Sequence, residues 1–404
     1  MNLRARRLVT AAVTVGALAT TGAYAAVAAP WPQGGHDAAV SRTNAGETSL
    51  TAATIGRARY LRSIVARPGQ ATGDADCSAG VQTEPLVVGT TVYAVLEHRL
   101  TAHDARTGAL RWSVTLTLDP EVTRYTGLAH AGGRVLLASL VDACVSEDPG
   151  GVVSAYDAAT GAPQWTAGTG SPISTLRVSG STVVAAGASL GSGGTVAALN
   201  LADGSRRWSR TDLCLSDEQV AVVAGRVVYA ACNEDGAPNQ RLVARFLGSG
   251  DASWTKPGVR SVQRGDSDSP SGPHHLYVGS AAGLVDVNPA NGATRYTIAG
   301  PGVRSLAVDA TRVYATCPAG VCAYLRATGA PAWSVAASGD LAALTVGRDV
   351  VVLPDGRVLR ASDGAELRDL WSQSGDTVWL SLGQGYLASV TNQRIIDLFG
   401  LPGR

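Results

Sequence analysis

Ten acidic side chains lie in four short stretches of the sequence and are its main candidates for chemistry. Residues 68–82, 139–151, 210–219 and 231–240 together hold ten Asp or Glu residues and one basic residue, Arg210. Carboxylate oxygens are preferred Ca²⁺ ligands, and concentrated negative charge attracts basic partners. These stretches predict a calcium site or a surface for a basic partner, with ordinary solvated loops as the alternative. The residues assigned to that site are Asp74, Asp76, Glu147, Asp148, Glu234 and Asp235.

Two smaller polar groups are further candidates. The first consists of Asp266, Asp268, His274 and His275. Adjacent His side chains at a strand entry point to opposite sides, which favours a polar insertion over a metal site. The second group, Gln82 and Glu84, is expected on an inner strand beside a central channel, where these side chains are candidates for catalysis. No Gly-x-Ser-x-Gly nucleophile motif accompanies either group, so the sequence assigns no catalytic residue.

A repeated turn supplies the elements that must position these residues. Each copy ends in Gly, and an aromatic residue follows four positions later. The steps between successive glycines average about 43 residues, a period typical of a four-stranded propeller blade. The copies are Gly108 with Trp112, Gly161 with Trp165, Gly204 with Trp208, Gly250 with Trp254, Gly292 with Tyr296, Gly329 with Trp333, and Gly364, which has Arg368 in place of the aromatic.

The residue types explain the repeat. Asp or Asn bends the chain by bonding nearby backbone, and Gly accepts the positive φ of the turn. The aromatic residue then enters the outermost strand and packs between blades. β-rich runs such as 91–95, 226–230 and 312–315 precede the turns and predict strands.

The two ends of the chain predict how the ring closes. After the seventh turn, residues 377–381, 386–390 and 394–398 offer three strands without a fourth, and residues 58–65 form a lone strand near the start. Pairing the N-terminal strand into the last blade completes it and protects the sheet edges. We therefore expect an all-β propeller of eight four-stranded blades, with seven blades as the alternative.

The first 29 residues have the pattern of an export signal. Arg4, Arg6 and Arg7 precede an apolar run, and small residues follow, as in a secretory signal peptide. An uncleaved membrane anchor is the alternative, since residues 8–29 carry no charge. The predicted divisions are a signal peptide at 1–29, an entry segment at 30–55 and the propeller at 56–404, with a secreted or extracytoplasmic location.

Six cysteines in an exported chain predict three disulfides. No Cys-x-x-Cys pair occurs and no His lies nearby, which disfavours zinc. Blade topology places all six cysteines on one side of the ring, at links between blades and at hairpins between second and third strands. We call this side the cysteine face. The expected pairs are Cys317–Cys322, Cys214–Cys232 and Cys77–Cys144, although six cysteines allow fifteen connectivities.

The turns resemble those of the pyrroloquinoline-quinone (PQQ) repeat family, whose blades carry variants of Asp-Ala-x-Thr-Gly-x-x-x-Trp. The entry motifs at residues 31–37, 42–44 and 47–51 also resemble those of quinoprotein-like propellers, so the resemblance spans residues 31–400. It implies either alcohol or sugar dehydrogenases that hold PQQ and calcium, or cofactor-free scaffolds such as the propeller of outer-membrane protein assembly.

Departures from the dehydrogenase pattern favour the scaffold. The chain has no adjacent cysteine pair and no Cys-x-x-Cys-His motif for covalent haem, and no residue set matches the family's calcium ligands. Its net charge of +1 argues against nucleic acid. We predict a monomeric, exported, non-enzymatic scaffold without bound quinone, which holds a protein or small ligand on the acidic cysteine face. A PQQ- and calcium-dependent dehydrogenase is the alternative.

Overall fold

The strands form eight antiparallel sheets of four strands each within the residues that the structure describes. The computed structural model describes residues 29–65, 83–96, 98–116, 124–141, 150–189, 193–212, 220–232, 241–265, 274–300, 305–337, 344–371, 377–391 and 395–403. The predicted signal peptide thus lies almost wholly outside the described residues. Among the described residues, no helix is long and apolar enough to cross a membrane.

The first ordered elements complete the last blade. A short 3₁₀ helix (Ile55–Arg57) leads into β1 (Arg59–Val65), the outer strand of blade 8. The remaining strands follow in blade order, from the inner to the outer strand of each blade. Blade 1 is β2 (Leu86–Val88), β3 (Thr91–Leu96), β4 (Arg99–Asp104) and β5 (Leu110–Thr115); blade 2 is β6 (Arg124–Ala131), β7 (Arg134–Val141), β8 (Gly150–Asp157) and β9 (Pro163–Gly168); blade 3 is β10 (Thr175–Ser179), β11 (Thr182–Ser189), β12 (Gly193–Asn200) and β13 (Arg206–Asp212); blade 4 is β14 (Ala221–Val223), β15 (Arg226–Ala231), β16 (Arg241–Phe246) and β17 (Ala252–Pro257).

The second half of the ring repeats this order. Blade 5 is β18 (Val259–Gly265), β19 (Leu276–Ser280), β20 (Gly283–Val287) and β21 (Thr294–Ala299); blade 6 is β22 (Leu306–Val308), β23 (Arg312–Cys317), β24 (Gly320–Leu325) and β25 (Pro331–Val335); blade 7 is β26 (Thr345–Val346), β27 (Val350–Val352), β28 (Arg357–Arg360) and β29 (Glu366–Asp369); blade 8 is β30 (Thr377–Gly383), β31 (Tyr386–Thr391), β32 (Ile395–Gly400) and β1.

The ring closes through the N-terminal strand, as the sequence predicts. β1 pairs antiparallel with β32, so that Arg59 lies opposite Gly400 and Val65 opposite Ile395. Each inner strand contacts the inner strand of the next blade, and β30 of blade 8 contacts β2 of blade 1. The prediction of an eight-bladed, all-β propeller is therefore confirmed, and the seven-bladed alternative is wrong.

The hydrophobic core lies between neighbouring blades. β3 is buried along its whole length, whereas most of the outer strand β5 is exposed or half-buried. One cluster joins Val184 and Val196 of blade 3 to Val227 and Tyr229 of blade 4. Each blade thus buries both of its surfaces against its neighbours, which an isolated four-stranded sheet does not do.

An aromatic residue on the outer strand of each of blades 1 to 6 packs against the turn glycine of the next blade. The seven turn glycines have φ between 72° and 77°. A Cβ added at any of the six from Gly161 to Gly364 would lie 2.5–2.8 Å from an atom of the preceding blade's aromatic ring. Glycine is therefore required twice over, by the backbone conformation and by the ring beside it.

The same aromatic residues also bond to the next blade. The five Trp Nε1 groups and the Tyr296 hydroxyl each donate to a backbone carbonyl three residues before the packed glycine, at 2.7–3.1 Å. The ring buries apolar area while its polar atom is satisfied. We call this combination of ring, glycine and hydrogen bond the aromatic clamp, and it joins blades 1 to 7 in succession.

Replacing a clamped glycine should cost more than replacing an equally twisted glycine in open space. We expect Gly250→Ala to lower the free energy of unfolding by about 1–3 kcal/mol more than Gly225→Ala, because its Cβ overlaps Trp208. Gly225 is the matched control: its φ of 69° is close to the 72° of Gly250, but nothing lies within 4 Å of an added Cβ. The backbone penalty, about 1–2 kcal/mol, is shared. Urea unfolding midpoints measure the difference, and equal losses would contradict the clamp.

Candidate functional site

The entry segment contacts the inner strands around the whole ring. Its backbone bonds Val87 of blade 1, His130 of blade 2, Val222 of blade 4, Val308 of blade 6 and Val346 of blade 7. The Gln33 amide bonds both backbone groups of Val178 in blade 3. Ala39 packs in a cluster that includes Val259 of blade 5, and Asn44 bonds Leu382 of blade 8. Residues 29–44 thus bond the inner strands of seven blades, and Ala39 belongs to an apolar cluster that extends into blade 5.

These contacts place the entry segment across one mouth of the central channel. The bonded residues lie at or near the ends of the inner strands, just before the hairpins to the second strands. Those hairpins lie on the side of the ring that also holds the motif turns, and we call it the turn face. The cysteine face is the opposite side. The entry segment therefore caps the channel at the turn face.

A buried ion pair anchors this cap. Arg42 is 2 % exposed, and its Nη1 donates to Glu84 Oε1 at 2.5 Å. Glu84 Oε2 also accepts from the Gly35 amide at 2.8 Å and from Trp31 Nε1 at 3.4 Å. The remaining Arg42 donors bond the carbonyls of Leu344 and Leu380. Glu84, a candidate for catalysis in the sequence, is thus bonded to the cap; Gln82 lies outside the described residues.

Two further motif residues hold the cap to blade 8. The fully buried Asn44 donates to the carbonyls of Ala29, Pro30 and Leu382. Glu47 is also fully buried and accepts from the amides of Ser49 and Leu50 with one oxygen and from the Gly385 amide with the other. The motifs that resemble the quinoprotein entry therefore have structural roles in this chain.

Two charged groups close to the ion pair, Arg177 and Asp37, have pKa values below their ordinary ones. Burial lowers the pKa of Arg177 to about 10, and the like charge of Arg42 adds to this effect, while Glu84 and Asp37 oppose it. Burial acts to raise the pKa of Asp37, but hydrogen bonds and charge from His36 and Ser41 outweigh burial and hold this pKa below its ordinary value. Both groups therefore remain charged near neutral pH.

The cysteine face carries disulfides. Cys317 and Cys322 are bonded across the β23–β24 hairpin with a Cα–Cα distance of 5.9 Å, the pair that the sequence predicts there. Cys232, at the end of β15, is also disulfide-bonded. Cys77, Cys144 and Cys214 lie outside the described residues, so the other two pairings stay predictions. The six acidic candidates, from Asp74 to Asp235, also lie outside them.

The two histidine candidates, His274 and His275, take part in different hydrogen bonds. His275 is buried, and its Nδ1 lies 2.6 Å from Oδ2 of the fully buried Asp286; Arg295 lies 3.5 Å from the other oxygen. The His274 carbonyl accepts from Arg295. Asp266 and Asp268 lie outside the described residues. Within the described ranges, no group of three or more His, Cys, Asp or Glu side chains has a metal-binding arrangement. His275 thus belongs to an internal hydrogen-bonded network with Asp286 and Arg295.

Asp286 was missed by sequence reasoning, although one signal pointed to it. Asp286 lies opposite Tyr296 in the sheet. At the equivalent position of the first three blades, Ala102, Ala155 and Ala198 lie opposite the clamp tryptophans. Blade 5 thus has a charged residue and a tyrosine where those blades have alanine and tryptophan.

Comparison with known proteins gives a family and a fold. The family described as "Outer membrane protein assembly factor BamB" matches residues 57–298 and 280–401. No curated protein matches the chain. Three similar solved structures are the quinohemoprotein alcohol dehydrogenase from Comamonas testosteroni (14 % identity, TM-score 0.69, 93 % of this chain and 81 % of that one), BamB from Moraxella catarrhalis (16 %, 0.58, 85 % and 100 %) and a europium-containing methanol dehydrogenase (14 %, 0.65, 89 % and 89 %). At these identities the likeness shows the fold alone.

Removing the buried arginine of the cap should cost far more than removing an exposed one. Arg42→Met leaves Glu84 buried without its counter-charge, and we expect a loss of about 3–5 kcal/mol in the free energy of unfolding. Arg111→Met is the matched control: Arg111 lies 2.6 Å from Asp104 but is 38 % exposed, and we expect about 1 kcal/mol or less. Urea unfolding of both variants measures the losses, and similar values would show that the cap does not depend on this pair.

Proposed function

The chain belongs to the PQQ-like repeat propeller family described as outer membrane protein assembly factor BamB, and from this premise we propose that it is an exported, non-enzymatic scaffold that binds a basic segment of a partner protein on its cysteine face. The observation that carries the proposal is the capped channel. Because residues 29–44 bond the inner strands of seven blades at the turn face, we expect a ligand to reach the channel from the opposite, cysteine face.

The charge of the cysteine face favours a basic partner. The strands on either side of the stretches 68–82, 139–151, 210–219 and 231–240 end or begin at this face. The stretches hold ten acidic residues and one arginine, and one of the ten, Asp212, is paired with Arg241 and Arg245. The Cys317–Cys322 bond and the bonded Cys232 support an oxidising, extracytoplasmic location. The family description names an assembly factor.

The hydrogen bonding of Glu84 argues against the dehydrogenase alternative. PQQ and calcium need oxygen ligands and polar groups available in the channel. Glu84 lies just before the inner strand of blade 1. One of its oxygens accepts from Arg42, and the other accepts from Gly35 and Trp31. This donor set does not fit a calcium-held quinone, so we assign no reaction step to one.

Neutralising the acidic stretches should weaken the binding of a basic peptide. We expect Glu147→Gln, Asp148→Asn, Glu234→Gln and Asp235→Asn, combined in one variant, to raise the Kd of a labelled oligo-arginine peptide roughly tenfold, as the loss of four charge contacts worth a few tenths of a kcal/mol each would do. Added salt should weaken binding to the unmodified oxidised chain. Fluorescence anisotropy measures the Kd.

A four-site variant on the turn face provides the control. Asp104, Asp157, Asp203 and Asp363 lie in the motif turns, and Asn at each position keeps the side-chain oxygen that bonds the turn backbone. We expect this variant to bind the peptide as the unmodified chain does. Absence of binding to the unmodified chain, or equal weakening in both variants, would overturn the proposal.

A further inference from the structure

The two interfaces of blade 8 lack the aromatic clamp. At the interface with blade 1, Arg62 of β1 occupies the clamp position: it pairs with Leu398 directly after a bulge, as Trp112 pairs with Ala102. Its Cδ lies 3.2 Å from where a Cβ on Gly108 would be. At the interface with blade 7, Arg368 donates to the Gly56 carbonyl at 2.8 Å. Arginine side chains thus occupy the positions of the clamp aromatic residues at both interfaces.

Polar groups are also less well satisfied around blade 8 than at the clamps. The Nε1 groups of Trp371, which follows blade 7, and of Trp379 in blade 8 are buried without a hydrogen-bond acceptor. The Nε groups of Arg62 and Arg368 are also buried without an acceptor, a feature they share with Arg134 and Arg312 at clamped interfaces. Each clamp aromatic, in contrast, donates to a carbonyl. A buried donor without an acceptor is destabilising, so the hydrogen bonding favours opening at blade 8 over opening at a clamped interface.

The entry segment supplies what the clamps do not. Leu50, Ile55 and Ala58 are buried in one hydrophobic cluster with residues of blades 7, 8 and 1. The Ala52 amide donates to Asp349 of blade 7, and Glu47 accepts from Gly385 of blade 8. Residues 47–58 therefore hold the closing blade from within, between the channel cap at 29–44 and the edge strand β1.

We infer that residues 29–65 act as a single strap that can release at blade 8, opening the ring closure and the capped channel mouth together. Cap, internal packing and β1 follow one another without a break in the chain. Release of β1 from β32 exposes the hydrophobic cluster around Leu50 and Ile55. This cluster anchors the cap next to blade 8. Cooperative opening of contiguous segments is the ordinary form of local unfolding, and it begins where contacts are weakest.

Hydrogen exchange at distant amides tests the coupling. Val222 of blade 4 and Val308 of blade 6 donate their amides to Ala38 and Ser41 of the cap, far along the ring from β1. Arg62→Trp should restore a clamp, because the receiving turn keeps Gly108 and its φ of 73°. We expect amide exchange in β1, at Val222 and at Val308 to slow by a similar factor, roughly tenfold, in the full chain.

Two further variants make the result decisive. Arg59→Trp places the same side chain on β1 at an exposed position outside the clamp, and we expect exchange to stay unchanged. Should Arg62→Trp fail to fold, Arg62→Leu removes the unbonded Nε and should slow the same amides by a smaller factor. Slower exchange in β1 alone, with Val222 and Val308 unchanged, would overturn the coupled strap. No slowing of exchange at any amide, or equal slowing in Arg59→Trp, would overturn the inference that the ring opens at blade 8.

Discussion

The architecture depends on one recurring contact, an aromatic ring seated on a glycine of the next blade. The glycine is needed for a turn with positive φ, and its missing side chain leaves the space that the ring fills. Because the ring also donates to a carbonyl of the same turn, each blade fixes both the distance and the orientation of its neighbour. The clamps join blades 1 to 7 into a continuous arc. Blade 8 must close the ring without a clamp.

The closure is solved by the N-terminal segment, which also decides where the protein can meet other molecules. β1 completes blade 8, and the residues before it run across the inner strands at the turn face. The buried Arg42–Glu84 pair and Asn44 bond this cap to the chain itself. The side chains of Arg42 and Glu84 are therefore bonded within the chain, and we place the proposed binding surface on the opposite, cysteine-bearing face.

The sequence predicts the features whose causes are local. A turn glycine and an aromatic four residues later are read directly, and counting strands after Gly364 is enough to predict eight blades closed by residues 58–65. The cap could not be predicted, because its bonds join residues far apart, such as Asn44 and Leu382. Glu84 was for the same reason interpreted as a catalytic candidate, since its partner lies in a segment without repeated pattern. Arg62 gave no signal either, because its clamp position follows from strand register and not from residue type.

The polar groups of the capped channel bond to the chain itself, and we expect them not to hold a cofactor. A thermal-unfolding titration of the purified, oxidised chain with PQQ at constant calcium tests it most directly, because a ligand that binds the folded state raises the unfolding temperature in a saturable way. We expect an unfolding temperature that does not change with PQQ. A saturable rise on addition of PQQ would contradict it and would restore the quinoprotein dehydrogenase.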